Sequence, residues 1–267
     1  MAFYDLDKND RTALVNQMQD NMLTASHLAN KDPFLFYFAD EDTYIRKSAY
    51  LIAGRIYQTH ADLRDTIIDF LSDLLSSENE KVRQTLVNAA GEIGKTDFDR
   101  IESFMENGLF DTHPIVRNAV IGSLKKMGEK NPKPVLAFAL RFLHHPDKEI
   151  RREICHGIEL RGRTHPEDIL PLLKELQFDK TSRARNTLVH VIGQISYKKG
   201  CLKTVLIEIG KWENRPLVEK AVMEILDVHK RYAKFSHYST KEAHGFMLEN
   251  APWTVELFNR QLLGDRS

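Results

Sequence analysis

The chain has 267 residues, 42% hydrophobic, 28% charged and 9% aromatic, enough apolar material for a sizeable core and too much for wholesale disorder. Its 38 basic residues balance 38 acidic ones, which excludes a whole-protein positive field for nucleic acid but not a local patch. Two cysteines, Cys155 and Cys201, exclude a four-thiolate zinc site and a disulfide framework and suit a reducing compartment, while 13 Gly and 9 Pro argue against a turn-dense all-β chain.

In chain order, the first ten residues carry Asp5, Asp7 and Asp10 where a secretory leader needs a basic start and an apolar run. No stretch approaches the ~20 apolar residues that span a bilayer. The expectation is a soluble cytoplasmic protein with no membrane contact. Residues 1–40, with Phe34, Phe36, Tyr37 and Phe38, read as an N-terminal helical cap.

From residue 41 to 234 a pattern recurs, in which an apolar residue and Arg are followed by a helical apolar stripe. The pairs are Ile45-Arg46, Val82-Arg83, Val116-Arg117, Ile150-Arg151, Ala184-Arg185 and Val218-Glu219, with second members spaced 37, 34, 34, 34 and 34 residues apart. Three places after each second member stand Ala49, Leu86, Val120, Ile154, Leu188 and Val222, and seven places after stand Ala53, Ala90, Leu124, Ile158, Ile192 and Leu226. Such offsets mark one face of a helix. Asp42, Asn79 and Asp147 stand four residues before their Arg, where a side-chain oxygen caps free N–H groups. Pro114, Pro146 and Pro216 fit first helical turns. Gly94, Gly128 and Gly162, eleven residues after their Arg, stand where a left-handed residue would end each helix. Shorter helical patterns intervene at Leu63–Leu75, Phe98–Leu109, Pro134–Leu143, Ile169–Leu176 and Leu202–Ile209. Each unit is a helix pair that cannot bury its apolar face alone, so neighbours stack into an all-α solenoid of about six pairs. Residues 235–267, with Phe235, Tyr238, Phe246, Trp253 and Phe258, read as a C-terminal helical cap.

The segments DTYIRKSAYLIAGRI, NEKVRQTLVNAAGEIG, HPIVRNAVIGSLKKMG and PDKEIRREICHGIELRG resemble the HEAT-repeat (HEAT-like, armadillo-type) family, as do the weaker copies SRARNTLVHVIGQIS and RPLVEKAVMEILDVH. The resemblance covers about Phe34 to Tyr232. It implies an interaction scaffold whose second helices line a concave groove. On that basis Lys47, Asn88, Arg152, His156, Asn186, His190 and Lys220, polar residues at two offsets on one helix face, are the candidate groove residues.

Charge is uneven: residues 1–133 hold 16 basic and 21 acidic residues, whereas residues 148–241 hold 19 and 12. The basic part could attract phosphate or an acidic protein. HPDKEIRREI and LVEKAVMEILDVHKRY are also similar, more remotely, to the HEAT-like alkylpurine DNA glycosylases of DNA alkylation repair. Active members hold a cationic base with groove tryptophans and a carboxylate, but Trp212 and Trp253, the two tryptophans here, stand off the second helices. The residues give no catalytic set, no metal site and no cofactor. GEIGKT lacks the first glycine of a phosphate-binding loop, since position 89 is Ala. His144, His145 and Asp147 read as loop and cap. The functional expectation is a non-catalytic scaffold for a protein partner, held in the groove or at the charged ends. The alternative is a nucleic-acid-binding relative of the glycosylases, with DNA on the basic C-terminal half.

Overall fold

The computed structural model describes residues 3–264, and among these every α or β element is helical. Two 3₁₀ turns, Phe3–Asp5 and Ala61–Leu63, accompany sixteen helices: α1 (Lys8–His27), α2 (Asp32–Phe38), α3 (Thr43–Thr59), α4 (Arg64–Leu74), α5 (Glu80–Ile93), α6 (Glu102–Leu109), α7 (Pro114–Lys130), α8 (Pro132–Phe142), α9 (Lys148–Gly157), α10 (Glu159–Gly162), α11 (Pro166–Glu175), α12 (Ser182–Gln194), α13 (Cys201–Ile209), α14 (Arg215–Arg231), α15 (Thr240–Asn250) and α16 (Trp253–Gly264). Residues 1–2 and 265–267, at the edges of the two expected caps, lie outside the described residues. The chain divides into two compact units, Met1–Val135 and Leu136–Ser267.

In the first unit α3 packs on α5 and α5 on α7, with α4 and α6 laid against them and α1 and α2 against α3. Ala49, Ala53, Leu86, Ala90, Val120 and Leu124, the residues at the predicted core offsets, are all fully buried. Met18, Met22, Phe34 and Phe38 extend that core into the N-terminal helices. In the second unit α9 packs on α12 and α12 on α14, while α11 packs on α13 and α15 on α13 and α14. Ile154, Ile158, Leu188, Ile192 and Val222 are buried. The last repeat slips by one residue, since Ile225 takes the core position and Leu226 is half-buried.

The repeating arginine is a loop clamp. Its guanidinium Nη1 reaches back to the carbonyls five and six residues earlier, closing the turn that enters the helix. Arg46 donates to Asp40 and Glu41 at 2.6 and 3.0 Å, and Arg83 to Ser77 and Glu78 at 2.7 and 3.1 Å. Arg117 donates to Asp111 and Thr112 at 2.6 and 3.0 Å, and Arg151 to His145 and Pro146 at 2.7 and 2.9 Å. Arg185 donates likewise to the carbonyl of Asp179. Charged donors make strong bonds to carbonyls that would otherwise end a chain turn unsatisfied. Two of these arginines also grip an aspartate 28 residues on, in bidentate pairs Arg83–Asp111 and Arg151–Asp179.

Asp42, Asn79 and Asp147 cap α3, α5 and α9 as the spacing predicts, accepting from the N–H groups of Tyr44, Lys81 and Glu149. Pro114 and Pro216 stand in first turns, but Pro146 precedes the cap of α9 and lies outside the helix. The glycine expectation is also corrected. Gly94 has φ −65°, Gly128 and Gly162 lie within helices, and the one positive-φ glycine among the described residues is Gly200. Close approach is what requires Gly94 and Gly162. A Cβ on Gly94 would stand 2.3 Å from Met127 Sδ, and one on Gly162 would stand 2.3 Å from Ile169 Cδ1.

Candidate binding face

Of the second helices of the pairs, α3, α5, α9, α12 and α14 carry the sequence-predicted groove residues, and α7 carries none. In the first unit Lys47 on α3 is exposed, and Asn88 on α5 is half-buried and donates to the carbonyl of Gln84 at 2.9 Å. In the second unit Asn186 and Lys220 are exposed, while Arg152, His156 and His190 are half-buried.

The second unit brings these residues together in two groups. Asn186 on α12 and Lys220 on α14 line one cleft of about 230 Å³ between successive repeats, with Ser182, Arg185, Val189, Asn214, Pro216 and Leu217. Its wall is mixed: an ammonium and amides stand over the aliphatic Val189 and Leu217. A few residues away, the His156 and His190 rings meet edge to face with centroids 5.8 Å apart. The equivalence of their positions in consecutive repeats places them side by side. His156 Nε2 lies 3.0 Å from Glu159 Oε2, whose side chain is 1% exposed. The other Glu159 oxygen accepts from Arg163 Nε at 2.9 Å, and Arg163 also donates to Gln194 Oε1 at 2.9 Å. His190 Nδ1 lies 3.6 Å from Glu224 Oε1, which in turn pairs with Arg231 at 2.5 Å. Burial pushes the His190 imidazole below its ordinary value, against the opposing pull of Glu159 and Glu224. Ligand atoms of His156, Glu159 and His190 all lie within 4.8 Å of one another.

Arg152 is engaged within its own repeat, by Glu149 at 2.9 Å and Glu153 at 3.3 Å. Much of the basic surplus of this part of the chain is also engaged by carboxylates, within and between repeats. Arg161 pairs with Asp168, Arg183 with Glu149, Lys174 with Glu213, and Arg231 with Glu224 and Asp227. These pairings, unlike the surplus itself, were not evident in the sequence. Glu159 and Glu224 escape the sequence for a related reason: one falls on the buried side of its helix, and nothing in the spacing sets the other apart from the remaining polar residues. The spacing Glu159 to Arg163, one helical turn, was the available signal for a buried carboxylate with its counter-charge.

Stacked helix pairs with clamped turns define an α-helical repeat protein. A family model for HEAT repeats matches residues 68–142. Over 132 residues, 49% of the chain, it is 26% identical to the AP-1 complex subunit beta-1 of Mus musculus and to that of Homo sapiens, and the match spans 13% of the length of each. Among solved structures, smu.31 from Streptococcus mutans UA159 is 19% identical, with a TM-score of 0.49 over 64% of this chain and 89% of that one. An archaeal HEAT-like repeats protein from Thermococcus onnurineus NA1 is 17% identical, with a TM-score of 0.38 over 80% of this chain and 97% of its own. No described helix is long and apolar enough to cross a membrane.

Proposed function

We propose that the chain is a non-catalytic interaction scaffold that holds a protein partner on the exposed face of its second helices. The observation that carries this reading is the inter-repeat cleft at Asn186 and Lys220. An amide and an ammonium stand exposed at its rim, and aliphatic side chains form part of its wall. A partner segment bearing an acidic side chain for Lys220 and an apolar one for Val189 and Leu217 fits this chemistry. In repeat proteins such clefts succeed one another along a face, and affinity grows from area and complementarity. The AP-1 relatives are named as subunits of a complex, which agrees with this reading.

The test is cross-linking of the purified protein to partners in its native extract, with wild type and an Asn186→Asp, Lys220→Glu double variant compared side by side. A partner captured by wild type and lost from the variant, with its cross-links on α12 and α14, supports the reading. Capture that is identical for the two proteins removes this face from it. Duplex DNA binding measured by fluorescence anisotropy, weakening steeply with salt, would turn the choice to the nucleic-acid alternative.

A further inference from the structure

We propose that His156, Glu159 and His190 form a binding site for one transition-metal dication of the zinc type, joining two successive repeats. The inference does not rest on the partner-binding reading.

Two imidazoles and a carboxylate are the donors a borderline cation such as Zn²⁺ takes, commonly with water in the fourth position. In a tetrahedral site with bonds of ~2.0–2.1 Å the ligand atoms stand ~3.3 Å apart. His156 Nε2 and Glu159 Oε2 already stand at 3.0 Å, and the widest separation in the trio is within 4.8 Å. Closing the remaining gap asks for a small rotation of His190, whose side chain is 40% exposed. Glu159 is the fixed point. It is 1% exposed, and Arg163 holds one of its oxygens while the other faces His156. Glu224 beside His190 Nδ1 supplies the outer carboxylate that orients a ligating imidazole.

His156 lies in the last turn of α9, Glu159 opens α10 and His190 lies on α12. A bound ion therefore cross-links consecutive second helices on the face proposed for partner binding, and holds the spacing between them.

The test is isothermal titration of the metal-free 267-residue protein with Zn²⁺ near neutral pH, alongside thermal melts. Wild type is expected to take up one Zn²⁺ per chain. Its melting temperature should rise by roughly 5–10 °C at about 100 times the dissociation constant. His190→Ala should weaken binding by ~10-fold or more. His144→Ala, on an exposed histidine elsewhere, should leave binding unchanged. Co²⁺ in place of Zn²⁺ should give the visible absorption of a tetrahedral site, lost in His190→Ala. His190 is half-exposed, so its replacement leaves the core intact and keeps the result readable, whereas Glu159→Gln alters a buried carboxylate and its partners. The absence of saturable binding by wild type, or binding that His190→Ala leaves untouched, overturns the proposal.

Discussion

Replacing Arg151 with methionine tests what the repeating arginine does. The Arg151 side chain is 13% exposed and that of Asp179 is 3% exposed, with Nε–Oδ2 at 2.5 Å and Nη2–Oδ1 at 3.1 Å. Burial alone would push the Asp179 carboxyl up. The bonds from Arg151 and from the N–H and hydroxyl of Thr181 overcome it and bring the value down from 3.8 to about 2. A depression of that size corresponds to about 2 kcal/mol of stability. Methionine keeps the apolar stem but strands a buried carboxylate and frees the carbonyls of His145 and Pro146, at a total cost of ~3–5 kcal/mol. For a chain of this size that is a fall of roughly 6–20 °C in melting temperature, read by calorimetry or circular dichroism at neutral pH. Pairing it with Asp179→Leu should restore part of the loss, because no charge is then stranded, while the carbonyls of His145 and Pro146 and the N–H of Thr181 still lose their partners. The pH dependence has a definite sign. The folded value of Asp179 lies below its unfolded one, so its contribution is full above about pH 4 and is lost as pH falls toward 2. Wild type and variant should therefore converge in acid. Lys211→Met, which breaks the exposed pair with Glu208, is the reference and should change stability by less than about 0.5 kcal/mol. If Arg151→Met is no worse than Lys211→Met, the clamp is ornamental and the reasoning fails.

Glycine substitutions should separate by site in thermal melts. Gly162→Ala meets Ile169 and Ile195 and should cost ~1–3 kcal/mol, whereas Gly122→Ala, with nothing within 4 Å, should stabilise α7 by ~0.5–1 kcal/mol. Equal effects would count against close approach as the role of Gly162. His229 is fully buried, and its imidazole is pushed below the ordinary value by burial, against a 2.8 Å bond to the Ile225 carbonyl. The native state thus prefers the neutral ring, and stability falls as pH drops below about 6.5. His229→Leu should flatten the melting temperature between about pH 7 and pH 5, and an unchanged slope would argue against it. Burial also raises both thiols, Cys155 and Cys201. A thiol-reactive chromophore should therefore modify neither until the chain unfolds, and rapid labelling of the native protein would contradict this.

The helix pairs were legible because repeat cores are written in one dimension. The residues three and seven places after each arginine are side by side on their helices, so their burial follows from spacing alone. Cap residues were legible where the oxygen stands four places before the arginine. Where an aspartate stands six before, the roles divide: Asp111 and Asp179 serve distant arginines while His113 and Thr181 cap α7 and α12. The glycines misled because a left-handed turn and a close helix contact call for the same residue, and only the neighbour's coordinates tell them apart. On the candidate face, the two stacked histidines were legible from their shared offset. Glu159 was not, because its partners lie one turn away and one repeat away, and the sequence ranks neither above solvent.

The arginine–aspartate ties occur at Arg83–Asp111 and Arg151–Asp179, two repeats apart. Twenty-eight residues after Arg117 stands His145, and after Arg185 stands Glu213. The arginine, by contrast, stands at the clamp position in five pairs, as Arg46, Arg83, Arg117, Arg151 and Arg185, so the placing of the aspartates alone decides which turns are tied. A chain of this type lengthened by one helix pair would still present a guanidinium to an aspartate placed 28 residues on. Each added pair could be tied to its neighbour, or left untied, by that one residue.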